Sequence, residues 1–457
     1  MDAIYPCVAG LDVHKQTVVA CVRRWDGRGR VSKQVKTFGT MTRDLLELGD
    51  WLSRQGVTHV AMESTGVYWK PVFHLLEGRF TEILLVNAQH IKNVPGRKTD
   101  VKDCEWIAQL LQCGLLRGSF VPPVAIRQLR DLTRQRSQLV ADRARVANRI
   151  QKVLEDANIK LASVATDILG VSGRAMLEAM IRGEGDPELL ADMAKRRLRA
   201  KLPQLRQALL GKVTNHHRFL LRTLLEQVDS LERLIASYCE HIEEEMAPFA
   251  SARDRLQTIP GVDQRTAECM VAELGINMDQ FPSEGHLASW AGLCSGMNES
   301  AGKNRSSRTR KGSRWLRQTM VQAAWAASHS KTTYLGAQYR RLTFRRGRKR
   351  ALVALAHTIL GIVYHVLKKG TVFIDLAGRR GCSPLPDCRN CLVSNTRCVN
   401  SKRECERLFA CFRRTSGSSG TGLRYLQFRD LSCNANNASF PRKTRTPRIN
   451  LSGSSVN

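Results

Sequence analysis

Along the first 120 residues the apolar positions fall into short runs separated by turn-forming residues. Runs at about 5–12, 17–24 and 31–39 predict three tightly connected strands, with Asp26-Gly27 marking a hairpin turn. From Thr42 (TRDLLELGDWLSRQG) the apolar spacing changes to three and four residues, which predicts a helix. A strand at 58–63, a helix at 68–78, a strand at 82–87 (EILLVN) and a helix from Asp100 to Cys113 complete the unit. Three meandering strands followed by alternating helices and strands is the order of an α/β, RNase-H-like (RuvC-like) domain. In that fold the first strand, the fourth strand and the last helix converge.

Residues 121–250 read differently. Pro122-Pro123 break the chain, and Ile126 to Ile159 then run as one long basic helix whose apolar members are Leu129, Leu132, Leu139, Val146, Ile150 and Val153. A second long helix runs from about Phe219 to Met246. Its stripe (Leu221, Leu224, Val228, Leu231, Ile235, Tyr238, Ile242) steps by three and four, the seam of a coiled coil. An antiparallel hairpin follows, either a dimerisation region or a bundle within one chain. The intervening ILGVSGRAMLEAM reads as a smaller helical insertion.

Residues 251–376 form a third, mainly α unit. In LQTIPGVDQRTAECMVAELG two helices flank Ile259-Pro260-Gly261-Val262, resembling a helix-hairpin-helix, whose glycine turn offers backbone N–H groups to a phosphate. A tight interhelical turn without that role has the same look. Ala351 to Leu367 imitates a membrane span, but it is shorter than the roughly 20 residues a span requires and contains His357 and His365. A buried helix fits it better. After residue 376 the periodicity dissolves, and 377–457 read as an atypical, disordered extension. That tail holds seven of the fourteen Cys, including a CxxC at Cys388 and Cys391, without a second CxxC at zinc-site spacing.

The charge changes the picture. Lys+Arg of 72 against Asp+Glu of 41 gives a net +31 across 457 residues, which excludes a typical neutral-substrate enzyme and points to DNA or RNA held through phosphates. The cations cluster. Seven lie from Lys303 to Arg317, among them Arg305, Arg308, Arg310, Lys311 and Arg314, and seven more lie from Arg340 to Arg350. Such density on loops beside apolar helices suits a phosphate-backbone grip better than a plain solvated face. No long amphipathic basic helix suggests a membrane surface. The N-terminus has no basic region before its apolar run, which Asp12 interrupts, so no signal peptide is expected and the cysteines are expected as cytosolic thiols.

Candidate chemistry sits in three short stretches: Asp12 in AGLDVHK, Glu63 in VAMESTG, and Asp100 with Asp103 in GRKTDVKD. Asp12 and Glu63 each end a buried strand. The last two are spaced i, i+3 at a helix start and so share one face. Singly, these are what turn residues, a solvated strand end and a helix N-terminus look like. Together they fall on the three converging elements. Four carboxylates there would repel one another without cations, and hard divalent ions prefer such oxygens. Two Mg²⁺ roughly 3.5–4 Å apart would serve phosphoryl transfer.

At these residues the chain resembles the DEDD transposases of the insertion-sequence one-hundred-and-ten family, the bridge-RNA-guided recombinases. The resemblance covers roughly residues 5–372. LDVHK, MESTG and KTDVKD resemble the RuvC-type catalytic motifs, and IPGV, WAGL and NESAGK…RTRKGSRWLR resemble the C-terminal transposase domain. It implies that Asp12, Glu63, Asp100 and Asp103 bind Mg²⁺, with Mn²⁺ able to substitute, and that Ser300 is the nucleophile. It further implies a phosphoserine–DNA intermediate, an element-encoded bridge RNA that selects donor and target DNA, and a homodimer assembling to a tetramer. The setting it implies is the cytoplasm of a bacterium or archaeon, at the nucleoid. A RuvC-like junction-resolving nuclease would use the carboxylates without Ser300, and a non-catalytic nucleic-acid-binding remnant would use neither.

Overall fold

Strand alternation builds the first unit around a sheet with two covered faces. The structure, a computed structural model, describes residues 4–64, 66–87, 103–296, 298–300, 303–306, 308, 309 and 311–375, the side chains of 298–300 and 303–306 excepted. Asp100, Arg310 and the expected extension at 377–457 lie outside the described residues. Strand β1 (Cys7–Val13) pairs antiparallel with β2 (Thr17–Trp25), and β2 with β3 (Val31–Gly39). On its other side β1 runs parallel to β4 (His59–Glu63), which runs parallel to β5 (Glu82–Val86). The mixed sheet has the order β3-β2-β1-β4-β5, compatible with an RNase-H-like domain. The Asp26-Gly27 turn forms as expected: the Asp26 carboxylate accepts the amides of Arg28 and Arg30 at 2.8 and 3.0 Å, and Gly27 is left-handed at φ 76°.

Two helices follow from the 3.6-residue pattern, α1 (Thr42–Arg54) and α2 (Trp69–Leu76). They bury Leu45, Leu48, Leu52, Val72 and Leu76 against Ala9, Leu11, Val60 and Met62. Helix α3 (Asp103–Gln112) covers the opposite face, setting Trp106, Ile107, Leu110 and Leu111 on Val8, Ala61 and Val86. The approach is close because β1 carries Gly10 there: a Cβ at that position would lie 2.3 Å from the Cys104 carbonyl oxygen and 2.4 Å from the Ala108 nitrogen. At the far end of α3 the Gln112 carbonyl accepts the Ile4 amide at 2.8 Å. Helix α3 therefore runs opposite to β1 and begins at the carboxyl end of that strand.

Two long helices make the second unit. Helix α4 (Val124–Asp156) stops three residues before the periodicity suggests. Asn158 turns left-handed at φ 56°, and the Ile159 amide bonds back to the Leu154 carbonyl at 2.8 Å. Small helices α5 (Leu161–Val164), α6 (Val171–Arg182), α7 (Pro187–Asp192) and α8 (Leu202–Ala208) form the insertion, around Met176, Leu177, Leu190 and Leu205. Helix α9 (Asn215–Met246) starts earlier than the stripe suggests because Thr214 caps it together with His217. His217 Nε2 also meets Asp156 at 2.9 Å, tying the start of α9 to the end of α4. That contact and Arg143–Glu232 at 2.7 Å show the two helices running antiparallel.

The third unit contains α10 (Ala250–Gln257), α11 (Gln264–Leu274), α12 (Glu284–Trp290), the hairpin β6 (Asn298–Ser300) and β7 (Lys303–Ser306), α13 (Arg314–Ser328), α14 (Tyr334–Arg346) and α15 (Arg348–Lys369). Helix α15 is long and apolar enough by length and composition to cross a membrane, yet Leu355, Ile359, Leu360, Val363 and Val366 are fully buried in this unit's core. Ile126 and Leu129 of α4 and Ile242 and Met246 of α9 join the same core, so the helical arm is rooted here. The Pro260-Gly261 turn packs on α13: Gly261 has φ 88°, and a Cβ there would lie 2.5 Å from the Ala323 carbonyl oxygen.

Candidate active site

The acidic residues on β1, β4 and α3 gather at one end of one sheet face. In the parallel register Leu11 faces Met62, so Asp12 and Glu63 are the next residues at the carboxyl ends of neighbouring strands, with strands spaced ~4.8 Å apart. Leu11 and Met62 point to the α1/α2 face, which turns Asp12 and Glu63 toward α3. Asp103 opens α3, one residue before Cys104, whose carbonyl bears on Gly10. Three of the four expected acids thus lie on three neighbouring elements at one end of the sheet. Asp12 and Glu63 are half-buried and Asp103 is exposed. Among the described residues no group of three or more His, Cys, Asp and Glu is already arranged as a metal site, and the fourth acid, Asp100, lies outside them. An all-carboxylate set is the donor chemistry a hard divalent ion takes.

His14 adjoins the expected acids. Its Nε2 lies 3.2 Å from Asp12 Oδ2, so a cation arriving at Asp12 competes with this imidazole. The LDVHK spacing carries the signal, because two residues apart on a strand end place both side chains on one face. Behind the site, Lys33 of β3 bonds Glu105 of α3 at 2.8 Å, and Arg23 of β2 bonds Gln112 at 3.1 Å, fixing α3 along the sheet. Beneath it Cys21 is fully buried; burial and the neighbouring Cys104 push its thiol up to about 12, so it stays protonated at neutral pH.

Ser300 lies on another element. It ends β6 and pairs directly with Lys303 of β7, and the ladder continues through Gly296 N to Arg308 O at 2.8 Å and the Ser295–Thr309 bridge. The expected serine and the start of the basic segment, Lys303 and Arg305, are therefore parts of one hairpin. Arg308 and Lys311 are exposed where it returns, and Arg314 opens α13 with its guanidinium 4.5 Å from the Trp315 ring centre.

A buried ionic cluster holds the base of this hairpin. Ser313 caps α13 and donates to Glu273 Oε2 at 3.1 Å, while Arg134 of α4 grips the same carboxylate at 2.7 and 2.9 Å. Two residues further along α4, Arg136 meets Glu268 at 2.6 Å with both side chains almost fully buried. Burial is the largest single influence on Arg136 and opposes its charge, but the hydrogen bond and charge of Glu268, with Cys269 and Cys239, together outweigh it and hold the guanidinium above its usual range. Arg130 lacks such a close carboxylate, and burial pushes it below its usual range. Arg134, Arg136 and Glu273 border a cleft of about 230 Å³ that Trp315, Gln318 and Gln322 line from α13. The sequence did carry a sign of the cluster: Leu132, Arg136 and Leu139 step by four and three, putting an arginine where the seam demands an apolar residue.

Two family models match this chain. Residues 9–159 match a DEDD transposase family model, described as Transposase, and residues 253–340 match the model Transposase IS116/IS110/IS902 family. The first span contains Asp12, Glu63, Asp100 and Asp103, and the second contains Ser300. No curated protein matches the chain.

Proposed function

We propose a reaction for this chain, which belongs to the IS116/IS110/IS902 family of transposases and is an enzyme acting on DNA. Its RuvC-like carboxylates, Asp12, Glu63, Asp100 and Asp103, hold two divalent cations, Mg²⁺ or Mn²⁺ in its place. When bound, these ions would polarise the scissile phosphate and ease deprotonation of the attacking hydroxyl. Ser300 Oγ attacks phosphorus, the phosphodiester P–O bond breaks, and the departing strand end leaves as a hydroxyl that takes up a proton. The phosphoserine–DNA ester keeps the bond energy for rejoining to a second strand. Lys303, Arg305, Arg308, Arg310, Lys311 and Arg314 hold the phosphate backbone against the serine, where charge develops in the transition state.

The observation that carries this reading is the convergence of Asp12, Glu63 and Asp103 at the carboxyl end of two parallel strands and the start of α3. Donor and target choice would rest on pairing with an element-encoded bridge RNA. The antiparallel arm would join two copies into a dimer, and two dimers into the tetramer that handles both DNAs. A turn at Pro260-Gly261 of helix-hairpin-helix type would add a phosphate contact.

The test is strand cleavage by the purified chain on DNA carrying the element ends with its RNA, read on a denaturing gel for a covalent protein–DNA band. Wild type gives the band only with Mg²⁺ or Mn²⁺; Asp12→Asn cuts nothing, and Ser300→Ala binds DNA without forming it. Cleavage at the wild-type rate by Asp12→Asn would sink the metal-site assignment. Unimpaired cleavage by Ser300→Ala would leave the chain a hydrolytic, RuvC-like nuclease.

A further inference from the structure

The second basic run encloses an aromatic ring that the packing does not use. Phe344, in the last turn of α14, is 95% exposed, while the same helix buries Leu335 and Gly336 on its other side. Arg340 and Arg341 precede Phe344 by four and three residues, which sets them beside it on one helix face. Arg345, Arg346, Arg348, Lys349 and Arg350 follow, all exposed. Arg340 bonds the Ser330 and Lys331 carbonyls at 3.2 and 3.0 Å, anchoring the helix. Among the described residues no acidic side chain pairs with Arg341, Arg345, Arg346, Arg348, Lys349 or Arg350. Gly347, left-handed at φ 75°, then turns the chain into α15 and leaves Phe344 at a protruding corner.

A ring placed in water among unpaired cations suits one partner chemistry. The cations require a polyanion, and a solvent-facing phenyl ring requires a flat apolar surface. Nucleic acid supplies both, phosphates outside and base faces within. An acidic protein would satisfy the charges, but its surface offers no stacked planes for the ring. The helix C-terminus would by itself repel phosphate, and Arg345 and Arg346 in the last turn reverse that field.

We propose that Phe344 is a wedge that enters a base step of the duplex DNA on which the transposase acts, with the surrounding arginines gripping the flanking phosphates. Such wedges partly unstack the step and kink the duplex. A local distortion of this kind would ready a strand for exchange. The inference rests on the reading of the chain as an enzyme that opens and rejoins DNA.

The test uses the full-length chain and a duplex carrying 2-aminopurine, whose fluorescence rises on unstacking, with dye-labelled ends to report bending by energy transfer. Wild type should raise both signals. Phe344→Ala should lose both and weaken binding about tenfold, the scale of one lost stacking contact. Phe344→Trp should keep both. Because no charge is removed, the slope of log K against log salt should stay at the wild-type value in Phe344→Ala, and it should fall by about 0.9 for each of Arg341→Gln and Arg345→Gln. Unchanged binding and signals in Phe344→Ala overturn the wedge while leaving the cleavage chemistry intact. A loss confined to RNA binding, or a change of oligomeric state in the ultracentrifuge with DNA binding unchanged, overturns it in favour of another partner. A wild-type chain that binds no duplex overturns both this inference and the function it rests on.

Discussion

Replacing Gly10 with alanine tests whether the spacing of α3 from the sheet sets the activity. The new methyl group would meet the Cys104 carbonyl oxygen at 2.3 Å and the Ala108 nitrogen at 2.4 Å, and both are backbone atoms that no rotamer change can move. Restoring an ordinary contact of 3.4 Å requires α3 to retreat by about 1 Å. Asp103 sits at the head of that helix, so it would retreat from Asp12 and Glu63 by a similar amount. A displacement of ~1 Å can lower a rate ~100-fold, whereas overpacking of this size costs about 1–3 kcal/mol of stability. The assay is Mg²⁺-dependent cleavage well below the melting temperature, with urea unfolding alongside. Leu48→Ala is the control, because it empties the core on the opposite face, where α3 does not reach, at about 2–5 kcal/mol. Gly10→Ala should be the more stable of the two and much the less active. Wild-type cleavage by Gly10→Ala, or a loss in Leu48→Ala of equal depth, would refute positioning as the cause.

The buried Arg136–Glu268 pair predicts an asymmetric cycle. Arg136→Met strands Glu268, which is 2% exposed, and should cost about 3–5 kcal/mol by urea unfolding, while adding Glu268→Leu should recover most of it; equal losses in both variants would refute the pairing. Arg174 of α6 bonds Asp229 of α9 at 2.7 Å, and that hydrogen bond holds the Asp229 carboxyl below its usual 3.8. A depressed acid contributes stability above its unfolded value and loses it as pH falls from about 3.8 through the lower folded value, here no more than ~1 kcal/mol because the pair is partly exposed. Hydrogen exchange in α6 should therefore quicken below that pH in wild type and show no such step in Asp229→Asn.

Local pattern made the centre of the sheet legible because β1 and β4 are covered on both faces and read as dense apolar runs, whereas the edge strand β3 is largely exposed and is bounded by its turns. The observed strands agree with the expected ones to within two residues. Helix limits were less legible where long-range or unusual contacts decide them. Thr214 begins α9 by capping with a histidine rather than a glutamate, and Asn158 ends α4 by a left-handed turn that glycine normally provides. The ionic cluster at Glu273 and Glu268 was legible on one side only: an arginine in an apolar seam announces a buried charge, but its partner lies 132 residues away in sequence. Among the proposed site residues, Asp12 and Glu63 could be read from their strand ends and Asp103 from its helix start. Ser300 could not. NESAGKNRS has no apolar alternation, so its hairpin is set by backbone pairing and by the anchored turn at Ser313 rather than by side-chain pattern.

The arrangement separates holding DNA from reacting with it. A pocket of carboxylates repels a phosphate, and only bound cations convert it into an acceptor. The described carboxylates lie at a sheet end, whereas the basic hairpin and the Arg340–Arg350 run belong to the third unit. Affinity should then come chiefly from the lysines and arginines, with the steep salt dependence of released counterions, and chemistry from the metal-loaded acids. Local partners already engage the arginines nearest the core: Glu273 holds Arg134, Glu268 holds Arg136 and Glu77 holds Arg127. Among the described residues Arg341, Arg345, Arg346, Arg348, Lys349 and Arg350 have no such acidic partner and can serve phosphate. Beside Asp12 stands the exposed imidazole of His14, 3.2 Å away, a weak rival to a divalent ion. Removing metal from this enzyme should therefore stop cutting while leaving DNA bound, and raising salt should do the reverse.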